Sequence, residues 1–177
     1  MGLFSEMLDE GRIRSSLQNS KNVLMITCPG CACESLSFSE DLPCRALEQG
    51  KDMEHSAIAV HRVRDRWDVA LREMGIGVEH VSIAFPCEMF DTDRERIVQL
   101  AREKDTIAVL ACGSGFIAIR DMFPDFKGKL VPMMRTAGTF VFRLVPDETG
   151  ENSKVDQKTA RVMRFSDKNK EKKGEVQ

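Results

Sequence analysis

The sequence predicts a single three-layer α/β domain with a mainly parallel sheet, and three observations carry that expectation. Apolar strand-like runs stand near 23–27, 78–84, 106–111 and 130–133. The stretches between them carry apolar residues at helical spacing, and strand–helix alternation implies right-handed crossovers between parallel strands. Three of the runs lead into a cysteine: Val23-Leu24-Met25-Ile26-Thr27 before Cys28, Val81-Ser82-Ile83-Ala84-Phe85-Pro86 before Cys87, and Ile107-Ala108-Val109-Leu110-Ala111 before Cys112. Ligands of an open parallel sheet sit beyond the carboxyl ends of its strands, so this pattern sends three thiols to one edge.

Taken in order, residues 1–20 read as an N-terminal amphipathic helix. Leu3, Phe4, Met7, Leu8 and Leu17 lie at near-helical spacing over 3–17. Such a helix packs on its own domain or serves as a docking arm for a partner subunit. The α/β domain spans 21–145. After its first strand, 28–55 holds Cys28, Cys31, Cys33 and Cys44 with two prolines and no sustained period, and reads as a cysteine-rich insertion. Ile58, Val60, Val63, Trp67, Ala70, Leu71 and Met74 define an amphipathic helix over 58–74, stopped by Gly75 and Gly77. Thr92 with Glu95 three residues later reads as a capping box opening a helix to about Lys104, with Ile97, Leu100 and Ala101 as its apolar face. A further helix is expected over 115–122. Thr139 to Val145 alternates as an edge strand, and 146–177 reads as a charged C-terminal tail.

Composition narrows the function classes. A chain of 177 residues suits one domain with a proper core, and 42% apolar with 31% charged residues is ordinary for a globular protein. A net charge of −2 gives no global field for nucleic acid or an anionic membrane. No apolar run approaches the roughly 20 residues that span a bilayer. Glu6, Asp9, Glu10, Arg12 and Arg14 interrupt any secretory signal core, so a cytoplasmic location is expected. In a reducing compartment, six cysteines point to buried thiols, a metal site or a redox centre rather than a disulfide framework.

Thiolates hold soft metals and iron–sulfur clusters. Cys28-x-x-Cys31 offers two from one turn, and Cys87 and Cys112 arrive from the next strand ends. Together they make a four-thiolate set for tetrahedral zinc or a [4Fe–4S] cluster. Cys33 and Cys44 remain as substitutes, ligands of a second site, or bystanders. The small-residue turn Gly113-Ser114-Gly115 after Cys112 allows backbone N–H groups to approach a cluster or other ligand. It lacks both GxGxxG spacing and a Walker lysine, which argues against a nucleotide. His55, His61 and His80 read as surface or boundary residues. Glu88, Asp91 and Asp93 read as helix N-terminal acids, and no hydrolase arrangement or other catalytic set stands out.

The run Val23 to Cys31, the strand leading to Cys87, and Val109-Leu110-Ala111-Cys112-Gly113-Ser114-Gly115-Phe116 resemble the MetV family. These are small subunits of two-subunit methylenetetrahydrofolate reductases in acetogens and related anaerobes. The resemblance covers about 20–145. It departs from the family pattern at Thr27, where a glycine is usual, and at Cys33, only two residues beyond the CxxC. The resemblance implies a flavodoxin- or Rossmann-like fold and a non-catalytic, electron-transferring accessory subunit of an oxidoreductase complex in one-carbon metabolism. In that reading Cys28, Cys31, Cys87 and Cys112 ligate a [4Fe–4S] cluster or Zn2+, and Phe85, Phe90 and Phe116 form its low-dielectric shell. Flavin and folate belong to a flavoprotein catalytic partner. Two alternatives stay open: a structural zinc module for assembly, and a thiol-redox protein using Cys28-x-x-Cys31. A more distant comparison is the cluster-binding subunit of hydrogenases and complex I.

Overall fold

A computed structural model describes residues 2–48, 50 and 52–166. Its centre is a four-stranded parallel sheet of β2 (Asn22–Thr27), β4 (Gly77–Ser82), β5 (Thr106–Leu110) and β6 (Lys129–Pro132), in the order β4-β2-β5-β6. β2 and β5 are the interior strands. The side chains of Val23 to Thr27 and Thr106 to Leu110 are all buried, as continuous apolar runs in a parallel sheet should be. The register is flush at the carboxyl edge, where Thr27 pairs with Ser82 on one side and Leu110 on the other. The chain moves from β2 outward to β4, then back across β2 to β5, which creates a topological switch point between β2 and β5.

Six α-helices accompany the sheets among the described residues: α1 (Glu10–Leu17), α2 (Cys31–Glu40), α3 (Met53–Ser56), α4 (Ile58–Glu73), α5 (Asp91–Ala101) and α6 (Gly113–Met122). The expected helix over 58–74 corresponds to α4. It buries Ala59, Val60, Val63, Trp67 and Leu71, and ends before Gly75, whose φ of +77° favours glycine. The stretch expected as an irregular cysteine-rich insertion is instead partly regular, because α2 occupies most of its first half. Ala32, Cys33, Ser35, Leu36 and Ser37 are buried on more than one side of α2, so no amphipathic period marks it in the sequence.

The sheet is not single. β1 (Gly2–Met7), β7 (Met134–Val141) and β10 (Arg161–Arg164) form an antiparallel sheet in the order β1-β7-β10. A small third sheet joins β3 (Arg45–Ala46), β9 (Asn152–Val155) and β8 (Leu144–Pro146). Three expectations are corrected here. The N-terminal helix over 3–17 is a strand through Met7, and helix starts only at Glu10, where Asp9 Oδ1 accepts the Arg12 N–H at 2.9 Å. Long-range pairing of β1 with β7 overrides the local helical spacing. The edge strand over 139–145 is divided between β7, the central strand of its sheet, and β8 in another. The segment beginning at 146 is not a bare charged tail, because β9 and β10 lie within it; residues 167–177 lie outside the described residues.

A fourth correction concerns α5. Phe90 caps it without a side-chain hydrogen bond, and Thr92 lies inside its first turn, so the Thr92–Glu95 capping box is not formed. The helix also stops at Ala101, short of Lys104.

The antiparallel sheet closes around a second small core of Phe4, Phe140 and Val155. Glu6 on β1 bridges Arg135 on β7 at 3.0 Å and also Arg164 on β10, and Arg164 lowers its carboxyl pKa most. β7 and β10 approach closely at Gly138. A Cβ there would land on the Met163 carbonyl group, which is backbone and cannot swing aside. Gly138→Ala is therefore expected to cost about 2–3 kcal/mol through overpacking and to part β10 from β7. Urea denaturation, with hydrogen exchange at Val162 and Arg164, measures both effects.

Candidate metal centre at the strand-end thiols

The three strands with flush carboxyl ends place the thiols. Cys28 directly follows β2, and its N–H bonds the Leu110 carbonyl at 3.1 Å, locking it to the end of β5. Cys31 is the first residue of α2, with Gly30 as the capping residue. Cys112 caps α6 just past β5, and Cys87 lies in a 3-10 turn, Pro86–Glu88, beyond β4. Cys28 and Cys112 thus flank the switch point between β2 and β5.

Three of the thiols have Cys112 as a neighbour. Burial pushes the Cys28 thiol up to about 12; the N–H groups of Gly30 and Ala32 pull the other way, while Cys112 and Cys31 add to the rise. Cys31 is raised by burial, against the N–H of Leu3, and again by Cys112. Cys87 is raised by burial and then by Cys112 and Cys31. Cys112 is the common neighbour of the other three. Backbone N–H groups aimed at sulfur and the N-termini of α2 and α6 oppose part of that rise, as they do around thiolates in a metal site. Among the described residues, however, no three His, Cys, Asp or Glu side chains stand together as a set that could hold a metal ion. Cys28 and Cys112 are buried, Cys31 is half-buried and Cys87 is exposed.

The Gly113-Ser114-Gly115 turn is committed in part to packing. The Gly113 N–H donates to Thr136 Oγ1 at 2.7 Å. A Cβ on Gly115 would sit 3.0 Å from the Ala111 Cβ and 3.5 Å from the Pro86 Cβ, so this glycine lets α6 close onto the turn carrying Cys87. The expected aromatic shell is also corrected. Phe90 is 78% exposed and Phe85 44% exposed, although the Phe85 ring leans on Gly30; Phe116 alone packs against the core. These rings belong to a surface, because the turn after β4 projects outward.

Cys33 and Cys44 are not part of this edge. Both are fully buried, and the Cys33 S–H donates to the Cys44 carbonyl at 3.2 Å. The thiols also lie within hydrogen-bonding reach of each other, which lowers the pKa of Cys33 and raises that of Cys44.

Two contributors were illegible from sequence. Gly2 and Leu3 of β1 form a wall beside Cys31: a Cβ on Gly2 would sit 3.4 Å from the Cys31 sulfur. Thr136 of β7 anchors the start of α6. Their signal lies in pairing across some 130 residues, which no local period records.

The histidines lie elsewhere. His55 pairs with Asp52 at 2.7 Å and His80 with Asp68 at 3.0 Å. The half-buried His61 has a buried Nε2 without a hydrogen-bond partner, and burial depresses its pKa to about 4. Because the folded pKa lies below the unfolded value near 6.5, its neutral form contributes stability above about pH 6.5. That contribution is lost as pH falls toward 4. Solvent screening reduces it to about 1 kcal/mol for this half-exposed ring. Urea midpoints at pH 7 and pH 5 are expected to differ by less in His61→Gln than in the unmodified chain.

No family model and no curated protein matches this chain.

Proposed function

We propose that Cys28, Cys31, Cys87 and Cys112 bind a metal centre, a [4Fe–4S] cluster or Zn2+, and that the protein is an accessory subunit of a methylenetetrahydrofolate reductase-type complex. The observation that carries the metal reading is the placement of the four thiols just beyond the carboxyl ends of three adjacent, flush parallel strands. Once deprotonated, sulfurs gathered there would repel one another, a bound cation would offset that repulsion, and thiolates match a soft metal. Since Cys87 is the exposed member, binding draws its turn inward toward the three thiols that are wholly or partly buried. The strand order β4-β2-β5-β6 supports a flavodoxin-like arrangement with its ligand edge at the switch point.

The functional assignment rests on the likeness of the cysteine-bearing runs to the MetV family. In this reading the chain has no active site of its own, works in the cytoplasm and passes electrons to a flavoprotein that binds flavin and folate. No helix among the described residues is long and apolar enough to cross a membrane. A CxxC thiol-redox role is disfavoured by Cys28, whose pKa of about 12 leaves it protonated and weakly nucleophilic at neutral pH.

The test is anaerobic purification from the native host with metal, sulfide and flavin analysis of what co-elutes. Iron and sulfide with visible absorbance, together with a flavoprotein partner, are expected. Stoichiometric zinc in a colourless protein would transfer the assignment to a structural assembly module, because zinc is redox-silent.

A further inference from the structure

We propose that Cys33 and Cys44 form a second thiol site, separate from the strand-end thiols, that closes reversibly into a disulfide on meeting a low-molecular-weight disulfide. The two residues come from different elements. Cys33 lies in the first turn of α2, while Cys44 stands just before β3, its N–H bonded to the Ser153 carbonyl and its own carbonyl accepting the Ile58 N–H at 2.8 Å. The S–H of Cys33 donates to that same carbonyl at 3.2 Å, which brings its sulfur against the Cys44 residue. Both are free thiols with no exposed surface. Each of the two is the other's strongest influence, ahead of burial, whereas Cys28, Cys31 and Cys87 have Cys112 among their neighbours.

The exchange takes two steps, and either thiol can begin it. One of the two, as its thiolate, attacks one sulfur of the oxidant R–S–S–R, forming a mixed disulfide and releasing one RS⁻. The other then gives up its proton and attacks the protein sulfur of that mixed disulfide, displacing the second RS⁻. The two thiol protons end on two RSH molecules, and the two electrons lost by the protein reduce the oxidant. Access comes from local opening at β3, which is paired to β9 over two residues only. The bridge ties α2, which begins at Cys31, to the segment whose Arg45 pairs with Glu34 at 2.9 Å. The proposal does not depend on a metal at the strand ends.

The experiment uses the full chain, metal-free and anaerobic, incubated with glutathione disulfide under native conditions and quenched in acid. Remaining thiols are alkylated in denaturant, and the chain is cleaved after glutamates. Cuts at Glu34, Glu40 and Glu48 separate Cys33 from Cys44. The expected result is a disulfide-linked pair of peptides 11–34 and 41–48 that dithiothreitol releases. The link is lost in Cys33→Ser and Cys44→Ser but kept in Cys28→Ser and Cys31→Ser. Full alkylation of Cys33 and Cys44 after oxidation would overturn the proposal. So would a link to Cys44 that survives in Cys33→Ser.

Discussion

Cys112→Ser is expected to abolish stoichiometric metal while leaving the polypeptide folded. Cys112 is the neighbour that raises the pKa of Cys28, Cys31 and Cys87, so its removal takes away the member common to the group. The sulfur-to-oxygen change keeps side-chain volume nearly constant, and the Gly113 N–H to Thr136 bond does not involve it. Affinity is expected to fall at least ~100-fold, beyond what loss of an outer-sphere partner produces. The thermal midpoint of the metal-loaded form should fall by about 5 °C or more, because metal binding to the folded state alone stabilises it. Metal analysis and competition with a chelator measure the first effect, and calorimetry the second. Cys33→Ser is the control and should keep full metal content. Metal uptake also carries a proton signature: Cys28, with a pKa near 12, and the raised Cys31 and Cys87 are protonated at neutral pH. Binding therefore releases protons, and affinity rises with pH.

The second large effect is expected at Phe140. Its ring is buried at the centre of the antiparallel sheet, with centroids of Phe4, Phe38 and Phe142 at 5.4, 5.1 and 4.6 Å. Phe4 belongs to β1 and Phe38 to α2, so this cluster joins the strand beside Cys31 to the helix that starts there. Phe140→Ala removes a large buried ring and opens a cavity, costing about 3–5 kcal/mol. Equilibrium urea unfolding checks the magnitude. Because Gly2 and Leu3 stand against Cys31, the variant should also raise the rate at which Cys31 reacts with a thiol reagent. Phe140→Leu, which retains most of the volume, should recover much of both effects.

The legible parts of this chain are those with strong local signals. β2 and β5 announce themselves through unbroken apolar runs, and α4 through its buried stripe from Ala59 to Leu71. The cysteines at 28, 87 and 112 follow the apolar runs of β2, β4 and β5, so their place beyond the carboxyl ends of those strands is legible from the runs themselves. The antiparallel sheet was hidden for a physical reason. Leu3-Phe4-Ser5 is a strand because Thr136 to Thr139 of β7 lies beside it, and a register shift between Phe4 and Ser5 blurs its alternation. β9 and β10 are four residues each and largely polar, so their residues resemble a solvated tail until they are seen paired. Similarly, α2 escaped notice because a helix buried on several sides carries no polar stripe. The sequence also suggested an aromatic shell; exposure of Phe85 and Phe90 depends on the direction of the turn after β4, which composition does not encode.

The central claim is that four sulfurs at one sheet edge hold a single metal centre. X-ray absorption at the iron and zinc edges of the anaerobically purified protein tests it most directly. The account predicts a first shell made wholly of sulfur at about 2.3 Å, and sulfur replaced by oxygen or metal lost in Cys112→Ser. Metal absent from the intact anaerobic protein, or held by nitrogen and oxygen ligands, would contradict it.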